Sequence, residues 1–354
     1  MKFLKKRKLN KEININSFSS IERKMMIEGK NVPAFICNGG SYFFTNLSVY
    51  SDGIIDAWGS IDLDFFKKKL QTNWVATNVP NNKEISIHHL GEYIICKANW
   101  IYNNNSFYDY IMGIIKEMNP NLQNLYNFYG SDVVKKGKVN YSKLPTNGNP
   151  IKYDKEDDFS RNKLTGRSFS VFKKEKENTY YLCNISVFSD GNLKIDNIPN
   201  NLDISLNQFK NLVKEGELIT NIKKGQKVII YGLGDFEILE INYSNEIEEL
   251  IYEIEDTISE LNSIPTSSQI CKNIYKEYIE NPTIELKNEL KKSYEKVPSH
   301  MRIYILGDMD TKDIPIRMII YGENEIENWS HYIMAKNTGA ELPSINVPKP
   351  NDKD

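Results

Sequence analysis

The sequence is short of the features that would announce a chemistry. Its four cysteines in 354 residues stand at 37, 96, 183 and 271, with no C-x-x-C pair. That spacing excludes a dense disulfide scaffold and a Cys-rich zinc site, and suits a reducing compartment. No apolar run approaches the roughly 20 residues that a membrane span needs. Neither sign of charge dominates: 45 Lys+Arg face 47 Asp+Glu, for a net charge of −2. A protein held chiefly by nucleic-acid phosphates is thereby disfavoured, because no global cationic field exists. The sequence contains no Walker loop, G-x-G-x-x-G, G-x-S-x-G or H-E-x-x-H. What is present is bulk for folding: hydrophobic residues make up 40% and aromatic residues 11%, and the length predicts two or three domains.

The strongest signal is an internal repeat. Tyr42-Phe43-Phe44-Thr45-Asn46-Leu47-Ser48-Val49-Tyr50-Ser51-Asp52-Gly53 returns as Tyr180-Tyr181-Leu182-Cys183-Asn184-Ile185-Ser186-Val187-Phe188-Ser189-Asp190-Gly191. Further on, Phe66-Lys67, Thr77-Asn78 and Leu90-Gly91-Glu92-Tyr93 return as Phe209-Lys210, Thr220-Asn221 and Leu233-Gly234-Asp235-Phe236. The residue offset steps from 138 to 143 between these blocks, so one five-residue insertion separates two tandem copies.

Each copy reads as α+β. Phe43, Thr45, Leu47 and Val49 alternate with Phe44, Asn46 and Ser48, the period-two pattern of a strand. Ser-Asp-Gly supplies a turn into a second short strand. Asp62 or Asp203 then stands ready to cap a short helix. A second hairpin follows through Leu90-Gly91 or Leu233-Gly234. Each copy closes with an amphipathic helix, whose stripe is Phe107, Tyr110, Ile111, Ile114, Ile115 and Met118 in the first copy and Ile247, Leu250, Ile251, Ile254, Ile258 and Leu261 in the second. The predicted architecture is two antiparallel sheets with two helices each, packed about a local two-fold axis.

The expected organisation is a basic extension (1–28), the first repeat (29–118), a polar linker (119–165), the second repeat (166–262), a helical connector (263–298) and a terminal segment (299–354). In that last segment, alternating apolar residues over 301–322 predict a hairpin with Gly307 to Asp313 at its tip, then a helix and a proline-rich extended tail. The basic run Lys2, Lys5, Lys6, Arg7 and Lys8 leads into Lys11-Glu12-Ile13-Asn14 rather than an apolar segment. It therefore reads as a solvated terminus instead of a secretory signal, and the expected location is the cytoplasm.

Few residues offer chemistry. His88-His89 are the first candidates for a base or metal ligand, but on a strand adjacent side chains face opposite ways. Their equivalents are Tyr231 and Gly232, so the repeat does not require histidine there. Asp308, Asp310 and Asp313 form a D-x-D-x-x-D loop. It lacks the glycine and the terminal bidentate glutamate of an EF-hand, so a turn role is the default. Cys183 matches Thr45 and reads as a small buried residue. No metal or cofactor is expected. Trp58, Trp74 and Trp100 all fall in the first copy and have no counterpart in the second. They are read as core, with an aromatic binding surface as the alternative.

The sharpest surface feature is the segment 246–260, where seven carboxylates stand without a Lys or Arg. Glu246, Glu249, Glu253, Asp256 and Glu260 are the candidate contacts for a basic protein partner, for which complementary charge raises on-rate and selectivity. The first-copy equivalent has no such excess.

The strings Asn46-Leu47-Ser48-Val49-Tyr50-Ser51-Asp52-Gly53, Trp74-Val75-Ala76-Thr77, His88-His89-Leu90-Gly91, Gly307-Asp308-Met309-Asp310 and Glu327-Asn328-Trp329-Ser330-His331 resemble those of small uncharacterised bacterial domains. The resemblance spans both copies and the C-terminal segment, and it implies no activity and no residue roles. Duplicated α+β proteins of this kind are similar in style to immunity or accessory proteins of bacterial toxin systems. The expected function is a non-catalytic, cytoplasmic protein-binding module. The alternatives are an enzyme or small-ligand site between the copies, using His88, His89, Asp308 or Asp310, and nucleic-acid contact through the basic N-terminus.

Overall fold

A computed structural model describes residues 29–122, 125, 135–136, 139–140, 166–307 and 309–350. The basic extension, nearly all of the linker and Asp308 lie outside the described residues. The chain divides into two compact units, 1–247 and 248–354.

In the first unit the two copies share one topology. Strand β1 (Gly29–Asn38) pairs with β2 (Ser41–Tyr50) in an unbroken antiparallel register. The Asp52 carboxylate accepts from the Ile54 N–H at 3.1 Å and Gly53 adopts a positive φ, which turns the chain into β3 (Ile55–Asp56). Strand β4 (Ser60–Ile61), helix α1 (Leu63–Gln71) and β5 (Val75–Ala76) lead to β6 (Glu84–Ile87) and β7 (Gly91–Trp100). Helix α2 (Asn104–Met118) closes the copy, its Asn103 capping box in place. That box contributes about 1 kcal/mol. The buried Phe107, Ile111, Ile114 and Ile115 contribute roughly 1.5–3 kcal/mol each, so packing rather than capping holds the helix.

After a short β8–β9 pair (Lys135–Lys136, Val139–Asn140), the second copy repeats the order. Its hairpin is β10 (Gly166–Lys176) with β11 (Thr179–Phe188), followed by β12 (Asn192–Asp196), β13 (Leu202–Ser205) and α3 (Leu206–Lys214). Then come β14 (Leu218–Ile219), β15 (Lys227–Ile230) and β16 (Gly234–Ser244). The five-residue insertion lies in the turn from β12 to β13. It moves the helix cap: Asp62 caps α1, and its equivalent is Ser205, which caps α3 with Gln208 in a capping box. Asp203, the residue expected to cap, sits within β13.

The sheets are mixed rather than purely antiparallel. Strand β2 runs parallel to β6, and β11 parallel to β15. The intervening helix and small strands provide the long crossover that parallel neighbours require. One edge of β2 thus meets β6 at Tyr42–Phe44 and β3 at Ser48–Val49. Burial changes face between these halves: Tyr42 and Phe44 are buried at the start, Leu47 and Val49 at the end. The expected inward face of Phe43 and Thr45 is therefore correct only for its second half.

The copies join through equivalent strands. β7 and β16 pair antiparallel, so fourteen strands form one continuous sheet. Ile95 pairs with Ile238, and these occupy the same position in the two copies. Asn46 and its equivalent Asn184 also meet, at 3.5 Å. Pairs of equivalent residues in mutual contact define the local two-fold axis that the repeat predicted. Gly91 and Gly234 sit where the opposite strand crosses: an added Cβ would lie 2.1 Å from the Tyr243 carbonyl oxygen or 2.4 Å from that of Asn99. No side chain fits, which explains the repeated Leu-Gly.

The second unit is helical among its described residues. It holds α4 (Ile247–Leu261), α5 (Ser267–Glu280), α6 (Ile284–Glu295), α7 (Ser299–Arg302), α8 (Ile314–Tyr321), a 3-10 helix (Glu323–Asn328) and α9 (Ser330–Thr338). The expected hairpin over 301–322 is replaced by two helices and a connecting turn. The alternation of Ile314, Ile316, Met318 and Ile320 misled because α8 is buried nearly all round, including Pro315 and Ile319. A helix without a polar face loses its 3.6-residue signature.

Candidate functional site

The acidic helix α4 divides into two sets of carboxylates. Glu249 accepts from the Ser299 N–H at 2.6 Å and lies 3.9 Å from Arg302. Glu253 lies 3.6 Å from His300. Asp256 accepts from both the N–H of Ser267, at 2.7 Å, and its hydroxyl, at 2.5 Å. Ser267 and Ser299 open α5 and α7, so two of these carboxylates sit against helix N-termini, where negative charge is favourable. Burial raises the Asp256 carboxyl above the usual aspartate range, against the lowering effect of the Ser267 bonds. Glu246 is exposed and accepts from the Asn221 amide at 2.9 Å, while Glu248 and Glu260 are exposed. Four of the five expected partner contacts, Glu246, Glu249, Glu253 and Asp256, thus have partners within the unit that contains them. The Thr266–Gln269 capping box marks the start of α5, and no local pattern links that start to Asp256.

His88 and His89 lie in the turn between β6 and β7, and not on a strand as expected. Their ring centroids approach to 3.8 Å, and His89 also lies 4.9 Å from Phe169. His89 takes a positive φ of 66°, and its equivalent is Gly232, at 80°. Its carbonyl accepts from the Asn245 amide at 2.9 Å. The turn geometry, rather than a strand, brings the rings together.

Asp310 and Asp313 do not converge. Asp310 is exposed, whereas Asp313 is buried and accepts from the Tyr294 hydroxyl at 2.5 Å. Burial, together with that carboxylate, pushes the Tyr294 phenol well above its ordinary range. Among the described residues no group of three or more His, Cys, Asp or Glu is placed to hold a metal ion. The Cys183 thiol is buried and driven far up by desolvation, and that of Cys271 to about 11. A thiol held protonated is a poor nucleophile.

The three first-copy tryptophans separate. Trp100 belongs to the core: its indole donates to the Val79 carbonyl at 3.0 Å, and its ring packs on Phe35 and on Phe236 of the second copy. Trp58 is 56% exposed. Its ring lies 5.3 Å from Phe43 and 6.3 Å, edge-on, from Trp74. Lys69 stands 3.7 Å over the Trp74 ring and 5.2 Å over Phe65. Trp58 also holds a left-handed φ of 58°, a conformation costing of order 1–3 kcal/mol for a bulky residue. Reading the two copies against each other could have found this cluster, since Phe65, Lys69 and Trp74 become Gln208, Leu212 and Glu217 in the second.

With this geometry in place, comparison with known families gives one clear result. The pattern of a family described as a domain of unknown function, DUF7638, matches residues 18–122 and 155–265. The chain belongs to the DUF7638 family. The two matched segments correspond to the two copies, and residues 266–345 of this DUF7638 protein match a second description, domain of unknown function DUF7639. No curated protein and no solved structure matches the chain. No helix among the described residues is long and apolar enough to cross a membrane.

Proposed function

We propose that this DUF7638 protein is a non-catalytic, cytoplasmic protein-binding module, of the kind that serves as an immunity or accessory protein of a bacterial toxin system. The observation that carries the reading is the surface of the second unit. Met301, Ile303, Tyr304, Tyr321, Ile333 and Met334 are all exposed on a small helical body. Where such side chains form one contiguous patch they mark an interaction surface. Glu248 and Glu260, exposed carboxylates of α4, add charge of a single sign. A basic surface on the partner would meet it, gaining chiefly in encounter rate. Protonated, buried thiols and non-convergent aspartates leave the described candidate groups poorly suited to catalysis.

The test is capture of the tagged full chain from its native cells under mild crosslinking, read by mass spectrometry. The expected result is one stoichiometric, basic protein, whose capture falls when Glu248 and Glu260 are reversed to Lys and when salt is raised. A monomer recovered without any partner contradicts the reading.

A further inference from the structure

We propose that the first copy carries a second docking surface, the aromatic face of Phe43, Trp58 and Trp74 with the lysines of α1, and that its occupant is an acidic peptide segment of a partner protein. This surface is independent of the acidic helix and stands whether or not that helix meets a partner.

The duplication supplies an internal control. Both copies build the same strands and the same short helix, so a residue that the fold requires should recur. Gly91 and Gly234 recur, as do the buried Thr77 and Thr220, whose hydroxyls bond the Tyr102 and Asn245 carbonyls at 3.1 and 2.6 Å. Of the aromatic face only Phe43 recurs, as Tyr181; the other members do not. Phe65, Lys69 and Trp74 give way to Gln208, Leu212 and Glu217, and the tight turn carrying Trp58 gives way to the longer turn before β13. The fold therefore does not call for these rings.

Trp58 is also costly where it stands. It is exposed, and its φ is one that Gly or Asn adopts with least strain. The second copy places Asn197, with φ 63°, in its own turn. A tryptophan kept in water on a strained backbone, against two further aromatic side chains, has the character of a binding anchor.

Charge selects the occupant. Lys68 is exposed and Lys69 lies over Trp74, whereas the corresponding residues in the second copy are Asn211 and Leu212, with Glu217 replacing the tryptophan. The first-copy face thus combines rings with positive charge, which suits apolar side chains flanked by carboxylates. Single-stranded nucleic acid fits less well. Trp58 and Trp74 meet at 90°, so they offer no succession of parallel faces for neighbouring bases.

The experiment selects a displayed library of random peptides on the full chain, with Trp58→Asn as the subtraction control. Enriched peptides should carry Asp or Glu beside aliphatic or aromatic residues. Their synthetic versions should bind Trp58→Asn and the Lys68→Glu, Lys69→Glu double variant at least about tenfold more weakly. Trp58→Asn should melt no lower than the unaltered chain, because Asn relieves the strained φ. The proposal is overturned if nothing is enriched over the control, if enriched peptides lack carboxylates, or if Trp58→Asn binds equally well or melts lower. Binding of a short oligothymidylate that Trp58→Asn abolishes would assign the face to nucleic acid instead. Loss of peptide binding with undiminished capture of a basic partner separates this surface from the acidic helix.

Discussion

At the scale of single residues, backbone clearance and burial set the strongest constraints. An alanine at 91 or 234 would drive its Cβ into the opposite strand's carbonyl, combining overpacking with strain. Each Gly→Ala change should cost roughly 2–4 kcal/mol, read as a lower urea midpoint. A change under 0.5 kcal/mol, the range of ordinary surface substitutions, would contradict the crossing geometry. The repeated Leu-Gly was visible in the sequence, but its reason was not, because the obstructing backbone lies far along the chain. Asp196 presents a different case. Its Oδ1 has no hydrogen-bond partner, and burial raises its carboxyl above the ordinary 3.8 despite Asn184 and Lys194. A folded-state pKa raised in this way contributes stability below pH 3.8 that is lost as pH climbs through the raised value. Asp196→Asn should flatten that decline and lift the urea midpoint at neutral pH. An unchanged slope would show that the carboxyl titrates as it does in the unfolded chain.

At the scale of elements, amphipathic helices were legible and fully buried ones were not. The stripes of α2 and α4 fell where expected, because one face of each meets a core and the other meets water. Helix α8 was read as strand since its polar face is missing, and the turn holding His88 and His89 was read as strand since its left-handed residue is not glycine. The acidic character of α4 was equally plain, yet its use was only half visible. Glu249 and Asp256 serve helix starts that follow later in the chain. Asp256→Ala leaves the Ser267 N–H without its acceptor and should cost about 1–3 kcal/mol, with the loss of helical circular dichroism on heating beginning earlier. Ser267→Ala removes only the hydroxyl bond and should cost less. Equal effects of the two would contradict the role assigned to the carboxylate at the start of α5.

At the scale of the whole molecule, duplication separates what the fold needs from what it does not. Positions shared by both copies, such as Gly91 with Gly234 and Thr77 with Thr220, explain how fourteen strands make one sheet about a local axis. Positions that differ and are exposed include Trp58 and Lys68 in the first copy, and Glu248 and Glu260 of α4 against the sparsely charged α2. The candidate contacts could be read from the sequence as composition, but their division into structural and outward groups depends on helix starts and ring contacts that no local pattern encodes. The central claim is that function resides where the copies differ. Its most direct measurement is partner capture per folded molecule, taken beside the melting temperature, for Thr77→Val and for the double reversal of Glu248 and Glu260 to Lys. Thr77→Val is expected to melt lower and capture normally, and the double reversal to melt normally and capture poorly. The reverse pattern, with capture tracking the shared threonine and indifferent to the carboxylates, would contradict it.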